Sequence, residues 1–141
     1  MNIYAESSAV LVWLFGEPTG EAVRMVLAKA ELIIASDLTL VECERVLIRA
    51  QIIGGATEAH VADRRATLYR AAVHWHMLRL QKEVLDRASR PFPNEPIRTL
   101  DALHLSSALL ARSVVSGLAI LSIDERIRTN AHRLGFDLVP D

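Results

Sequence analysis

The sequence predicts an α/β protein built on a central parallel sheet, and two observations lead there. Three short, largely apolar runs of strand length, Ile3–Ala5, Leu32–Ala35 and Leu118–Ser122, alternate with stretches of helical length, which is the pattern of βαβ units. Two of those runs are followed by an acid and then a helix, at Glu6 and at Asp124. In open parallel sheets ligands gather outside the carboxyl ends of the strands, so both acids stand where a site is expected. At 141 residues the chain has the size of a single domain, 1–141.

The elements follow in order. Ile3–Ala5 is the first strand and Ser8–Phe15 a short helix, whose free N–H groups the hydroxyls of Ser7 and Ser8 can cap and which Gly16 and Pro18 end. Thr19–Ala30 places Ala22, Val23, Val26 and Leu27 on one helical face. Leu32–Ala35 is continuously apolar, as suits a strand buried on both faces. Ser36 or Asp37 then caps a helix from Leu38 to about Ala50, and Gly54-Gly55 separates it from Thr57–Ala72, with Val61, Leu68 and Ala72 inward. Val73–Leu78 is expected as a short strand and Gln81–Ser89 as a helix, followed by a rigid loop at Pro91, Pro93 and Pro96. Ile97–Ala111 is a helix, Leu118–Ser122 a strand, Glu125–Leu134 a helix ended by Gly135, and Phe136–Val139 a last strand.

A content of 51% hydrophobic and 23% charged residues argues against disorder. The longest apolar run, Ala9–Phe15, is far short of the ~20 residues a membrane helix needs. No secretory signal pattern is visible and the single cysteine, Cys43, has no internal partner, so a reducing cytoplasm is expected. The net charge of −1 excludes a domain that holds nucleic acid by charge alone. A polyanionic substrate would therefore need a bound cation near any acidic site.

Four acids stand out by position. Glu6 and Asp124 follow strands; Glu42 lies between Leu38 and Val46 on a helix face, and Asp101 between Ile97 and Leu105. The plain structural readings are an ion pair of Glu42 with Arg45 or Arg49, and for Asp101 an ion pair with Arg98 or a capping role. Carboxylates ~4 Å apart repel by about 4 kcal/mol at an effective dielectric of ~20, so a cluster of four demands cations or shared protons. Hard divalent ions with oxygen ligands, Mg²⁺ or Mn²⁺, answer that demand where no Cys or His set is present. The chemistry that follows is hydrolysis of a phosphodiester by water.

Tyr4-Ala5-Glu6-Ser7-Ser8-Ala9, Val41-Glu42, Arg98-Thr99-Leu100-Asp101-Ala102-Leu103-His104 and Leu121-Ser122-Ile123-Asp124 together resemble the four acidic motifs of the PIN-domain family, its VapC-type toxins above all. The resemblance spans nearly the whole chain. It implies a three-layer α/β/α PIN-like domain with a central parallel sheet and a Mg²⁺- or Mn²⁺-dependent ribonuclease acting on RNA. It further implies a homodimer inhibited by a small cognate antitoxin. Carried over by position, Glu6, Glu42, Asp101 and Asp124 are the catalytic and metal-binding acids, with Ser8, Ser122 and His104 in support. One departure is Glu6, where the family usually has Asp, a difference of one C–C bond, ~1.5 Å. The alternative is a non-catalytic PIN-like module that binds RNA or protein around a decayed site.

Among other residues, His74 and His76 would share a face of the expected strand and permit a metal pair. Cys43 beside Glu42 reads as a small buried apolar residue, and Trp13 and Trp75 as core or interface residues.

Overall fold

The computed structural model describes residues 1–141. Its strands are β1 (Asn2–Ala5), β2 (Leu32–Ser36), β3 (His76–Leu78), β4 (Leu118–Leu121) and β5 (Leu138–Val139). The helices are α1 (Ser7–Leu14), α2 (Gly20–Lys29), α3 (Asp37–Ile52), α4 (Glu58–Ala72), α5 (Lys82–Ala88), α6 (Thr99–Arg112) and α7 (Glu125–Arg133). All five strands pair in parallel, in the order β3-β2-β1-β4-β5.

Alternation along the strands separates two cores. Ile3, Ala5, Ala35, Ala119 and Leu121 face a cluster with Val10, Val23, Cys43 and Leu68 from α1 to α4. Tyr4, Ile34, Leu118 and Ile120 face the other way, onto Leu105, Ala108 and Ile127 of α6 and α7. The three-layer α/β/α expectation holds, because each central strand is apolar on both sides. The strand order reverses direction at β1: the chain builds outward through β2 and β3, then returns to β1's other edge as β4. Such a switch point opens a crevice at the carboxyl edge. Tyr4 pairs in register with Ile34 and Ile120, which aligns the ends of β1, β2 and β4 there.

Two expectations change. Val73–Leu78 is not one strand, since Val73 closes α4 in αR geometry and only His76–Leu78 is extended. The N–H groups of His74 and Trp75 bond back to Ala71 and Ala72, each at 3.0 Å, so the end of α4 claims these residues. His74 and His76 therefore share no strand face, and the metal pair falls away. The final strand likewise shortens to Leu138–Val139. Trp75 is buried against the first core, as expected of it.

α1 and α2 meet at Gly20, where a Cβ would lie 2.5 Å from the Val12 carbonyl oxygen. Backbone on both sides leaves little room to yield. Gly20→Ala should cost about 1–3 kcal/mol through overpacking, read as a fall of several degrees in the melting temperature.

Candidate functional site at the carboxyl edge of the sheet

Glu6 follows β1 directly and its N–H donates to Leu121 O at 3.0 Å, which ties it to the end of β4. The helix that follows is capped by Glu6 itself. Its Oε1 accepts from Ser8 N at 3.0 Å, and the hydroxyls of Ser7 and Ser8, expected as caps, turn onto the carboxylate instead. Oε1 also accepts from Ser7 Oγ at 2.8 Å, while Oε2 accepts from Ser8 Oγ and from Ser122 Oγ, the latter at 2.7 Å. A carboxylate has about four lone-pair positions, so these four donors satisfy Glu6 fully. At 4% exposure that satisfaction is what makes a buried carboxylate tolerable. The longer arm of Glu folds back into a cradle of hydroxyls.

α3 is capped by Ser36, whose Oγ accepts from Leu38 N at 3.1 Å, and pinned to β1 by Thr39 Oγ1 donating to Ala5 O at 3.1 Å. This docking carries Glu42, one turn on, over the crevice. The buried stripe of α3 is Leu38, Thr39, Cys43 and Leu47, with Val46 exposed, so Glu42 borders the stripe and does not lie within it. Glu42 turns away from Arg45 and Arg49. Its Oε1 takes His104 Nε2 at 2.5 Å and Ser7 Oγ at 3.1 Å. An ionised carboxylate only accepts, so Nε2 carries the hydrogen. On the other ring nitrogen, Nδ1 meets the Tyr4 hydroxyl at 2.9 Å.

Tyr4 and Ser7 were not among the predicted site residues. A Tyr inside a buried strand needs a partner for its hydroxyl, and that was the available signal for the first. Ser7 gave none, because bridging Glu6 to Glu42 depends on where α3 docks. Burial, with Glu6 and Glu42 adding to it, pushes the Tyr4 hydroxyl above the alkaline range and the nearby Cys43 thiol from its ordinary 9.0 up to about 12. Both groups stay protonated in the fold at a pH where the unfolded chain releases their protons. Folding stability should therefore fall as pH rises from about 9, at about 1.4 kcal/mol per pH unit for the thiol. Cys43→Ala should flatten the stability curve between pH 9 and 10, measured by denaturant unfolding, and the buried thiol should resist alkylation until the protein unfolds.

Asp101 lies at the third position of α6 and both plain readings of it are realised. Its Oδ2 accepts from Arg98 N and Arg98 Nε, each at 3.1 Å, capping the helix while forming an ion pair. Asp124 caps α7, Oδ1 accepting from Arg126 N at 2.8 Å and Ile127 N at 3.4 Å. Arg98 joins the two acids through one terminal nitrogen, 3.2 Å from Asp101 Oδ1 and 3.3 Å from Asp124 Oδ2. Its hydrogen bond to Asp101 raises the guanidinium's already high pKa further.

The four predicted acids thus meet at one edge of the sheet as two bridged pairs. Ser7 links Glu6 to Glu42 and Arg98 links Asp101 to Asp124, and no three of these groups yet surround a common point. Ser8 and Ser122 join the pairs: their hydroxyls lie 3.2 Å apart, both touch Glu6, and Ser122 Oγ accepts from Asp124 N at 3.1 Å. Glu42 Oε2 takes no hydrogen bond from the protein, and Asp101 Oδ1 and Asp124 Oδ2 take one each, from Arg98. Those three oxygens are hard donors with capacity to spare, the donor chemistry that Mg²⁺ or Mn²⁺ selects.

The chain has relatives among known proteins in both sequence and fold. The chain is 34% identical to ribonuclease VapC46 of Mycobacterium tuberculosis over 137 residues, covering 97% of this chain and 95% of that protein. In structure it resembles Mycobacterium tuberculosis VapC20, a sarcin-ricin loop cleaving toxin, with a TM-score of 0.66 at 12% identity over 96% of each chain. It also resembles VapBC2 of Rickettsia felis bound to a DNA fragment from its promoter, with a TM-score of 0.67 at 9% identity over 98% of this chain and 97% of that one. Residues 3–132 match the PIN domain, and that match together with 34% identity to a relative over nearly the full length shows that this chain belongs to the PIN-domain family.

Proposed function

We propose that this protein is a divalent-metal-dependent endoribonuclease and the toxin of a toxin–antitoxin pair. The observation that carries the reading is the meeting of Glu6, Glu42, Asp101 and Asp124 at the sheet's switch point, in a chain 34% identical to a ribonuclease over nearly its full length. Glu42, Asp101 and Asp124, which carry the oxygens with spare capacity, are the residues that would hold Mg²⁺ or Mn²⁺. Bound there, such an ion activates water at neutral pH and stabilises charge on a phosphodiester.

The chain's own groups set the stage for that chemistry. His104 and Ser7 fix the rotamer of Glu42, and the caps of α6 and α7 fix Asp101 and Asp124. Glu6 lies behind its hydroxyls, holds Ser8 and Ser122 in place, and adds negative charge that favours a cation. His104 is 2% exposed, so it is a positioning residue and not a contact for RNA.

The proposed partners are an RNA substrate, a cognate antitoxin and a second copy of the chain. Val41, Ile48 and Ile52 along α3 and Ile53 just after it stand exposed, the kind of apolar surface that protein partners cover. No helix is long and apolar enough to cross a membrane.

The test is a titration of Mn²⁺ and Mg²⁺ against a defined single-stranded RNA. Cleavage should rise with the ion and vanish on chelation. At 100 times its Kd the ion should add about 2.7 kcal/mol, a rise of roughly 5–10 °C in melting temperature. Neither cleavage nor stabilisation by either ion would favour a non-catalytic module.

A further inference from the structure

Arg98 faces two ways. On one side its terminal nitrogen bridges Asp101 Oδ1 and Asp124 Oδ2, two of the three oxygens with spare capacity for a cation. On the other it lines a cleft of about 370 Å³ between α5 and α6, whose charged lining residues are Arg90 and Arg98 against one acid, Glu95. The Arg98 side chain is 60% exposed while Asp101 is 5% exposed, so the acid is held by the fold while the arginine, once its hydrogen bonds to the acids break, has solvent to move into. Its backbone N–H, not its side chain, completes the cap of α6. The guanidinium can therefore leave without unravelling the helix.

We propose that Arg98 is an exchangeable counter-ion: it neutralises Asp101 and Asp124 until a divalent cation takes its place, and it then binds a phosphate of the RNA at the mouth of the α5–α6 cleft. The proposal rests on the metal-site reading above. Two like-charged carboxylates held close need a cation in either state, and a divalent ion on the same two oxygens would repel the guanidinium only a few Å away, so the two cations compete. Exchange would couple loading of the ion to the appearance of a positive group beside the site. A net charge of −1 makes such a group valuable, because the chain has little general attraction for a polyanion.

The experiment compares wild type, Arg98→Gln and Arg98→Lys by calorimetric titration with Mn²⁺ alone. Arg98→Gln should bind Mn²⁺ about tenfold more tightly, since the ion no longer displaces a competing pair. Arg98→Lys keeps the charge but loses the two-nitrogen fork that grips Asp101, and should bind about threefold more tightly. If all three proteins bind Mn²⁺ equally, the metal site stands and the exchange is wrong. If Arg98→Lys matches wild type while Arg98→Gln tightens, overall charge explains the effect and the exchange is again wrong. If none binds, the metal-site reading itself falls. The phosphate contact is read from the slope of log KM for RNA against log KCl at saturating Mn²⁺, which Arg98→Gln should reduce by about 0.7. An unchanged slope removes that half of the proposal.

Discussion

Asp101→Asn should lower RNA cleavage by more than about 100-fold while the protein keeps its fold. Losing partners that merely orient a metal's ligands costs 10–100-fold in affinity or activity, and Asp101 supplies one of the proposed ligand oxygens itself. The fold survives because the Asn side-chain oxygen can still accept from Arg98 N, the bond that caps α6. Its amide nitrogen would face the Arg98 guanidinium, donor against donor, and that local cost falls on an exposed arginine that can swing into solvent. The measurement is cleavage at saturating Mn²⁺ beside a far-ultraviolet circular dichroism melt. Normal cleavage by a folded Asp101→Asn protein would show that the site lies elsewhere.

Glu6→Asp should lose both stability and activity, although it restores the residue the family usually carries. Shortening the arm by ~1.5 Å withdraws the carboxylate from hydroxyls that now reach it from two elements, Ser7 and Ser8 on α1 and Ser122 beyond β4. A hydrogen bond to a charged group contributes about 1.5–3 kcal/mol, so loss of one such tie should lower the melting temperature by several degrees. Cleavage should drop at least several-fold, because Ser122 also holds the N–H of Asp124. A gain of activity in Glu6→Asp would mean that the hydroxyl cradle holds Glu6 out of a working site, and that the natural protein is impaired. The two outcomes differ in sign, so one pair of kinetic traces separates them.

These predictions show where the sequence was legible. The strands of the central sheet were readable because Ile3–Ala5, Leu32–Ala35 and Leu118–Ser122 are short, largely apolar runs of strand length, which suits strands covered on both faces. Glu6 and Asp124 were readable because a strand's end and a helix's start fix an acid's place without reference to anything distant. Cys43 was readable as a small buried residue. The region Val73–Trp75 misled because its apolar residues suit a strand, yet the close of α4 supplied nearer backbone partners and took them.

The sequence by itself determined the class of fold and the carboxyl-edge position of two acids. Those follow from local periodicity and residue type. Tertiary structure alone decided who faces whom: that Glu42 meets His104 and not Arg45 or Arg49, that Ser7 spans two acids, that Glu6 caps its own helix, and that Arg98 bridges Asp101 to Asp124. Each of these depends on contacts between residues far apart in the chain or on the rotamer of a long side chain. Hydrogen-bond geometry at ~3 Å selects among partners that sequence spacing leaves equivalent.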